Sequence, residues 1–221
     1  MRRTYLRPAA LAYGTDARQA VAQGRAGRLG GLSWICFHQA EVVVREGQEI
    51  SRNFVAYGDL ARDGTLAAIE APRHSLGSLA LERPQVMGIV NVTPDSFSDG
   101  GLAAETETAI THGLGLASEG ASILDIGGES TRPGSEGVAP EEELRRVLPV
   151  IEGLSSAGHR VSCDTRKAEV MRAAITAGAA VINDVSALQY DPQSAATIAQ
   201  LDCSVVLMHA QGDPKTMQLS P

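Results

Sequence analysis

The chain has 221 residues, which is enough for one large domain or for one domain with an appendage. Hydrophobic residues make up 43 % and charged residues 20 %, a composition typical of a folded globular protein rather than a disordered one. The formal net charge of −7 argues against nucleic-acid binding, which needs a basic surface, but it is compatible with a local site for an anion.

The cysteines and apolar segments bear on where the protein works. Cys36, Cys163 and Cys203 lie far apart, are odd in number and form no CxxC pair, so neither a disulfide framework nor a structural zinc site is expected. The N-terminal segment lacks the apolar stretch of a secretory signal, and no apolar run approaches the roughly 20 residues that span a bilayer. We therefore expect a cytoplasmic protein that does not contact a membrane.

Residues 1–83 carry no strong catalytic signature. They contain an Ala-, Arg- and Gly-rich stretch at residues 17–31, followed by the strand-like segment LSWICFHQAEVVVRE and the periodic segment FVAYGDLARDGTLAAIEAPR. We predict that these residues form a small mixed α/β extension, whose role the sequence does not indicate.

From Pro84 onward, short apolar runs alternate with helical patterns. The apolar runs have the length and the Val and Ile content of buried strands: QVMGIVNV, ASILDIGG, HRVSCDT, AAVINDVSA and CSVVLMHA. The helical patterns are AAETETAITHGLGLASEG, PEEELRRVLPVIEGLSSAG, RKAEVMRAAITAG and DPQSAATIAQL. This alternation predicts βα units with a parallel sheet. Gly120, Gly158 and Gly178 follow helical patterns, and we expect them to end helices in the left-handed conformation.

Polar residues stand at or just beyond the end of each predicted strand: Asn91, Glu129, Asp164, Asn183 with Asp184, and His209. A TIM barrel builds its active site at the carboxyl ends of its strands, and an open doubly wound sheet also binds ligands there. The dinucleotide-binding pattern G-x-G-x-x-G is absent after the first strand. The sequence therefore favours an α/β fold of the TIM (β/α)8 type, with about the first five βα units in residues 84–221.

Two loop motifs are more specific than this general pattern. Residues 91–101, NVTPDSFSDGG, follow the first of these strands and are rich in oxygen acceptors. Residues 125–134, DIGGESTRPG, end the second strand and place an arginine between a threonine and a proline, a setting that suits a pyrophosphate. From composition alone, the first motif would more often be a solvated loop. The second could be a glycine-rich turn with a surface arginine, but the pyrophosphate interpretation suits it better.

Both motifs closely resemble the two signatures of the dihydropteroate synthase family. The resemblance continues in family order through SCDT, INDV and LMHAQG, so it covers residues 84–221 nearly continuously. It implies a folate-biosynthesis transferase on a TIM-type barrel. Such an enzyme condenses 6-hydroxymethyl-7,8-dihydropterin pyrophosphate with para-aminobenzoate to give 7,8-dihydropteroate and pyrophosphate. The resemblance further implies Mg2+ bound with the pyrophosphate, sulfonamides as competitors of para-aminobenzoate, and a homodimer when the protein is full length.

The resemblance also implies roles for individual residues. Asn91 matches the asparagine associated with magnesium, and Asp164 and Asn183 match the aspartate and asparagine that bind the pterin. In the second substrate loop the matched positions are Thr131, Arg132 and Pro133, of which the threonine contacts the pterin pyrophosphate. Further candidate contacts with the substrates are Thr93, Asp95, Ser96, Asp125 and His209.

The chemistry of these residue types suits those roles. A pterin edge alternates donors and acceptors; the Asp164 carboxylate can only accept, whereas the Asn183 amide can accept and donate. The reaction needs stabilisation of charge on the departing pyrophosphate, so we expect no nucleophilic side chain. Strand alternation should point Cys163 away from Asp164. Asp125 is read either as a buried strand acid bonded to its neighbours or as a substrate ligand, and His209 either as a substrate ligand or as a cap on its strand.

The sequence departs from the family in one respect. The family's further pterin aspartate, its lysine in a Ser-Arg-Lys setting and its Arg-x-His anion anchor have no counterpart here. We therefore expect that residues 1–221, expressed alone, form neither a stable monomer nor an active synthase. Two alternatives follow: an inactive fragment that at most binds a ligand or partner, and a methyltetrahydrofolate-binding barrel of a corrinoid methyltransferase. The latter would share the Asp and Asn-Asp motifs but not both loop motifs.

Overall fold

The computed structural model describes residues 2–93, 101–130 and 137–209, without the side chains of residues 101–103. The chain divides into two compact units, Met1–His74 and Ser75–Pro221. Residues 75–83 thus belong to the second unit, although the change in sequence pattern comes at residue 84. The reason is local packing: Gly77 N donates to Ser204 Oγ at 2.9 Å, and Leu79 lies in a cluster with Ile123 and Val181.

The first unit is an antiparallel sheet with two helices. Its strands are β1 (Arg2–Tyr13), β2 (Gly27–Arg28), β3 (Ile35–Glu46) and β4 (Glu49–Ala56). Its helices are α1 (Gly14–Ala22) and α2 (Gly64–Glu70), with a 3-10 turn at Tyr57–Asp59 between β4 and α2. The strand β3 pairs with each of the other three. The predicted mixed α/β extension is confirmed.

Neighbouring residues of β3 serve different cores. Cys36 packs with Ala17 and Ala20 of α1, whereas Phe37 packs with Leu60 and Leu66. Successive side chains of a strand point to opposite faces, so one strand can carry both clusters. The strand β3 therefore holds the two helices of this unit to a common sheet.

The second unit is a parallel sheet whose strands alternate with helices. The strands are β5 (Met87–Asn91), β6 (Ile123–Gly127), β7 (Val161–Asp164), β8 (Val181–Asp184) and β9 (Ser204–Leu207). The helices are α3 (Gly101–Ser118), α4 (Pro140–Ser156), α5 (Ala168–Thr176) and α6 (Ser194–Ile198). The strands pair in chain order, β5-β6-β7-β8-β9. All five predicted strands and all four predicted helices are present.

The helix ends follow the local sequence. Gly120, Gly158 and Gly178 have φ angles of +113°, +86° and +110°, which confirms the predicted left-handed helix ends. The helix α4 begins with Pro140, whose fixed φ suits a first helical position. Within the described ranges, no helix is both long enough and apolar enough to cross a membrane.

The two faces of the parallel sheet have different surroundings. The core between the sheet and its helices is built from aliphatic side chains of β5, β6 and β8 that are fully buried, for example Val90, Ile126 and Ile182. Cys163 belongs to this core, so the prediction that it points away from Asp164 is confirmed. The other face carries the strand-end residues Asn91, Asp164 and Asn183. The residues available for ligand binding therefore lie on the face of the sheet opposite this core, at the carboxyl ends of the strands.

Candidate functional site

One layer of the sheet brings the predicted strand-end residues into line. Asn91 pairs with Gly127, Gly127 with Asp164, and Asp164 with Asn183, across β5, β6, β7 and β8. All four lie at the carboxyl ends of their strands, within one residue of the end. Three polar side chains therefore stand at one level around a glycine, in the place where parallel α/β folds bind ligands.

Gly127 leaves a gap in this layer. A methyl group built on Gly127 would lie 3.6 Å from Asn91 Oδ1 and 3.7 Å from Asp164 Oδ2. These are ordinary van der Waals distances, so the space between the amide and the carboxylate is about the size of a small group. The uncharged amide oxygen of Asn91 and the ionisable carboxylate of Asp164 therefore lie on opposite sides of this gap.

Asp125 lies one layer below and orients Asn183. Its carboxylate is 5 % exposed, and Oδ2 accepts a hydrogen bond from Asn183 Nδ2 at 2.9 Å. Burial raises the pKa of Asp125. Its other oxygen, Oδ1, has no hydrogen-bond partner among the described residues. The structure thus bears out the reading of Asp125 as a buried strand acid bonded to a neighbour. The bond turns the amide nitrogen of Asn183 inward.

The charge of Asp164 depends on pH near neutrality. Burial raises its pKa to about 7, and the negative charges of Asp125, Glu143, Asp184 and Glu129 raise it in the same direction. An ordinary aspartate would be fully ionised at this pH. Asp164 is therefore able to exchange a proton in the range where proteins usually work.

Asp184 is turned away from this layer and shapes a turn. Its carboxylate accepts from Ser186 N and Ser186 Oγ, both at 2.7 Å, and from Leu188 N at 2.9 Å. Within the turn, Ala187 and Leu188 adopt positive φ angles of +53° and +63°, which are unusual for residues with side chains. Asp184 is fully buried. It therefore holds a strained turn beside the site, a role that the strand-end pattern did not distinguish from ligand binding.

A buried ionic cluster was not predicted from the sequence. Lys167 Nζ bonds to Glu129 and Glu143, while Arg166 bonds to the second oxygen of Glu129. Glu129, Lys167 and Glu143 are 7 %, 5 % and 0 % exposed. Burial alone would lower the pKa of Lys167, but its hydrogen bonds to the two glutamates outweigh burial and raise the pKa. The cluster joins α4 to the turns that follow β6 and β7.

Of the remaining predicted site residues, two lie within the described residues and five lie outside them. Thr93 is half-buried two residues beyond β5, and His209 is exposed two residues beyond β9. Five predicted positions lie outside the described residues: Asp95, Ser96, Thr131, Arg132 and Pro133. The structure thus gathers Asn91, Asp164 and Asn183 into one layer, with Asp125 beneath it.

The donor chemistry bears on the implied magnesium. No group of three or more His, Cys, Asp or Glu side chains able to hold a metal occurs in the described part of the chain. Asn91 offers an amide oxygen to the gap above Gly127. Mg2+ usually keeps several waters and is bound by few protein oxygens together with substrate phosphates. The residues present therefore fit a magnesium ion that comes with a phosphate ligand, rather than one caged by protein.

Comparisons with known proteins agree with this architecture. Residues 87–221 match the model of the family described as pterin binding enzyme. A dihydropteroate synthase of Neisseria meningitidis serogroup B is 47 % identical over 154 residues, which cover 69 % of this chain and 53 % of that protein. The Escherichia coli dihydropteroate synthase is 48 % identical over 145 residues, covering 65 % and 51 %. The chain spans about half the length of the curated relatives it matches.

Solved structures give the same result. The Xanthomonas albilineans dihydropteroate synthase with 4-aminobenzoic acid is 60 % identical, with a TM-score of 0.58, over 60 % of this chain and 49 % of that one. The Yersinia pestis dihydropteroate synthase in a sulfonamide drug complex is 51 % identical, with a TM-score of 0.59, over 65 % and 52 %. The predicted TIM-barrel type of fold is thereby confirmed for the parallel sheet. Because the family model covers most of the chain, the protein belongs to the family of pterin-binding enzymes.

Proposed function

We propose that the protein acts as a dihydropteroate synthase, joining dihydropterin pyrophosphate to para-aminobenzoate with release of pyrophosphate. One observation carries the proposal: Asn91, Asp164 and Asn183 line up around Gly127 at the carboxyl ends of four neighbouring strands. This donor and acceptor set suits a pterin edge on one side and a phosphate-bound cation on the other. The similarity to dihydropteroate synthases over residues 87–221 supports the same reaction.

Asp164 and Asn183 recognise the pterin by hydrogen bonds in the proposed function. The ionised carboxylate of Asp164 accepts from N–H groups of the pterin edge. The hydrogen bond from Asn183 Nδ2 to Asp125 leaves the amide oxygen of Asn183 as a further acceptor at the same level. A site that hydrogen-bonds its ligand in this way discriminates against analogues that lack the matching groups, because its buried polar groups are then left unpaired.

The pyrophosphate leaving group would lie on the Asn91 side of the gap. Asn91 would hold Mg2+ through its amide oxygen, and the bound ion supplies positive charge to the pyrophosphate. By the family resemblance, Thr131 contacts the pterin pyrophosphate, and Arg132 and Pro133 belong to the second substrate loop. Arg132 would stabilise the departing anion. The amine of para-aminobenzoate forms a bond to the pterin methylene carbon as the C–O bond to pyrophosphate breaks, and the amine proton is lost. Sulfonamides would compete at the aminobenzoate position.

The reaction is tested directly with the full-length protein. Dihydropterin pyrophosphate, para-aminobenzoate and Mg2+ are supplied, and dihydropteroate is measured by chromatography. Omission of para-aminobenzoate and addition of a sulfonamide serve as the two controls. If the protein instead binds methyltetrahydrofolate and yields no dihydropteroate, the corrinoid methyltransferase reading is correct. If it yields no dihydropteroate and does not bind methyltetrahydrofolate, the alternative of an inactive fragment that at most binds a ligand or partner is correct.

Asn183→Ala is expected to weaken binding of a pterin pyrophosphate analogue by about 1–3 kcal/mol, since it removes one hydrogen-bond partner of the pterin and the hydrogen bond to Asp125. Calorimetry with the analogue measures the loss. Cys163→Ala is the matched control, because Cys163 lies one residue before Asp164 but faces the helices. That control should lower the melting temperature and leave the affinity unchanged. Equal affinities of Asn183→Ala and the wild type would remove Asn183 from the site.

Gly127→Ala is expected to leave the fold intact and to weaken ligand binding about tenfold or more. The added methyl group makes only ordinary contacts with Asn91 and Asp164, so the fold accommodates it, but it occupies the gap between them. Thermal unfolding and the affinity for the pterin analogue are measured on the same sample. A variant that melts like the wild type and still binds at full strength would show that the gap is not used.

A further inference from the structure

The turns after β6, β7 and β8 are joined by one arginine. Arg166 lies two residues beyond the end of β7, and its guanidinium bonds to Glu129, which lies two residues beyond the end of β6. The same guanidinium stacks over the ring of Tyr190 in the segment after β8, with its central carbon 3.8 Å from the ring centroid. Arg166, in the segment after β7, therefore contacts the segments that follow the two neighbouring strands β6 and β8.

Each contact of Arg166 is itself held in place. The second carboxylate oxygen of Glu129 bonds to Lys167, so the adjacent residues Arg166 and Lys167 each bind one oxygen of this carboxylate. Tyr190 N donates to Ser186 Oγ at 3.2 Å, and Ser186 Oγ donates to Asp184 at 2.7 Å. The guanidinium is planar and its donors form a rigid fork, which makes it suited to a simultaneous ion pair and stacking contact. The result is a continuous set of contacts from Glu129 to the end of β8.

The start of this set is also fixed by close packing. Gly128 O accepts from Arg146 Nη1 of α4 at 2.9 Å. A methyl group on Gly128 would come within 2.8 Å of Val147 Cγ1, so α4 lies directly against the backbone there. The turn after β6 is thus held against α4 at Gly128 and against Arg166 at Glu129. Gly127, the centre of the candidate site, immediately precedes this clamped segment.

We propose that Arg166 is a positioning residue for the pterin site, acting through Glu129 and Tyr190 on the strand ends that carry Gly127, Asp164 and Asn183. The proposal rests on the proposed function, because it names what those strand ends bind. Arg166 fixes the spacing of the three strand ends and makes no contact with the ligand. A binding site loses affinity when its groups are held even slightly off the productive geometry, so loss of the clamp reduces affinity without removing any ligand-binding group.

The test compares Arg166→Met, Arg166→Lys and Tyr190→Leu in the full-length protein. Affinity for a pterin pyrophosphate analogue is measured by calorimetry at a temperature well below each variant's melting point, together with KM and kcat for dihydropteroate formation. Arg166→Met is expected to weaken binding about fivefold to tenfold and to raise KM for the pterin more than it lowers kcat. Arg166→Lys keeps the ion pair and should restore part of the affinity. Tyr190→Leu should weaken binding less, and combining it with Arg166→Met should add nothing.

Arg172→Met is the matched control. Arg172 belongs to α5, and its Nη2 donates to Thr197 Oγ1 at 2.8 Å, away from the strand ends. It should leave pterin affinity unchanged. A purely structural Arg166 would lower the melting temperature of Arg166→Met with wild-type affinity in the folded protein, and that result would overturn the proposal. If Arg166→Met does not fold, Tyr190→Leu decides, and wild-type affinity in that variant would overturn it as well. A wild-type protein that binds no pterin would instead overturn the proposed function.

Discussion

Asp164→Asn is expected to stabilise the protein, by an amount that grows by about 2–3 kcal/mol between pH 5 and pH 8. The pKa of Asp164 is about 7 in the folded chain, mainly because of burial, and returns to its ordinary value near 3.8 on unfolding. Below that ordinary value both states carry the proton. As the pH rises towards 7, the unfolded state ionises more readily than the folded one, so the wild type loses stability. An asparagine carries no charge in either state and avoids this loss.

Urea unfolding of both proteins across this pH range measures the difference. Asp202→Asn is the control, since Asp202 is an exposed carboxylate outside the site. Its effect on stability should stay within about 0.5 kcal/mol. A constant difference between Asp164→Asn and the wild type would show that Asp164 ionises as an ordinary surface aspartate.

Ionisation of Asp164 should also change the affinity for the pterin. If the ionised carboxylate accepts hydrogen bonds from the pterin, wild-type affinity should rise about tenfold from pH 6 to pH 8, as the free carboxyl loses its proton near pH 7. Asp164→Asn should bind more weakly and lose this dependence. Stability and affinity thus respond in opposite directions to one substitution, as expected when a binding site keeps a charge that the fold disfavours.

Local patterns in the sequence were sufficient to predict the strands and helices of the second unit. Buried parallel strands are continuous apolar runs, so five runs predicted five strands, and the glycines after helices predicted the left-handed helix ends. Alternation predicted that Cys163 faces the helices. The strand-end position of Asn91, Asp164 and Asn183 followed from the same reasoning, because carboxyl ends of parallel strands meet at one edge.

Side-chain partners across the fold could not be predicted in the same way. Glu143 follows Glu141 and Glu142, and three acids at the start of a helix indicate an exposed first turn. Only the structure shows Glu143 fully buried and bonded to Lys167, on the same face of α4 as Val147 and Val150. Helical spacing from those valines is the one signal that could have found it. Asp184 likewise ends a strand, but its carboxylate faces its own turn.

Lys167 lies at the centre of the buried ionic cluster, and its substitution is expected to have the second large effect on stability. Two glutamates, Glu129 and Glu143, bond to its ammonium group in a region that is almost inaccessible to water. Bringing three such charges out of water is costly, and each offsets the cost of the others. Removing the cation alone leaves two buried carboxylates, of which only Glu129 keeps a partner, Arg166, among the residues that the structure describes.

Lys167→Met is therefore expected to lower the free energy of unfolding by about 3–5 kcal/mol at neutral pH. The methionine fills most of the volume, so the loss reflects the unpaired charge rather than a cavity. Adding Glu143→Gln should recover part of the stability, because it removes a buried charge that has lost its partner. Arg145→Met on α4 is the control, as it breaks an exposed pair with Glu142 and should cost at most about 1 kcal/mol. Urea unfolding of the full-length variants measures all of these differences. Equal losses for Lys167→Met and Arg145→Met would contradict the assignment of a buried ionic cluster.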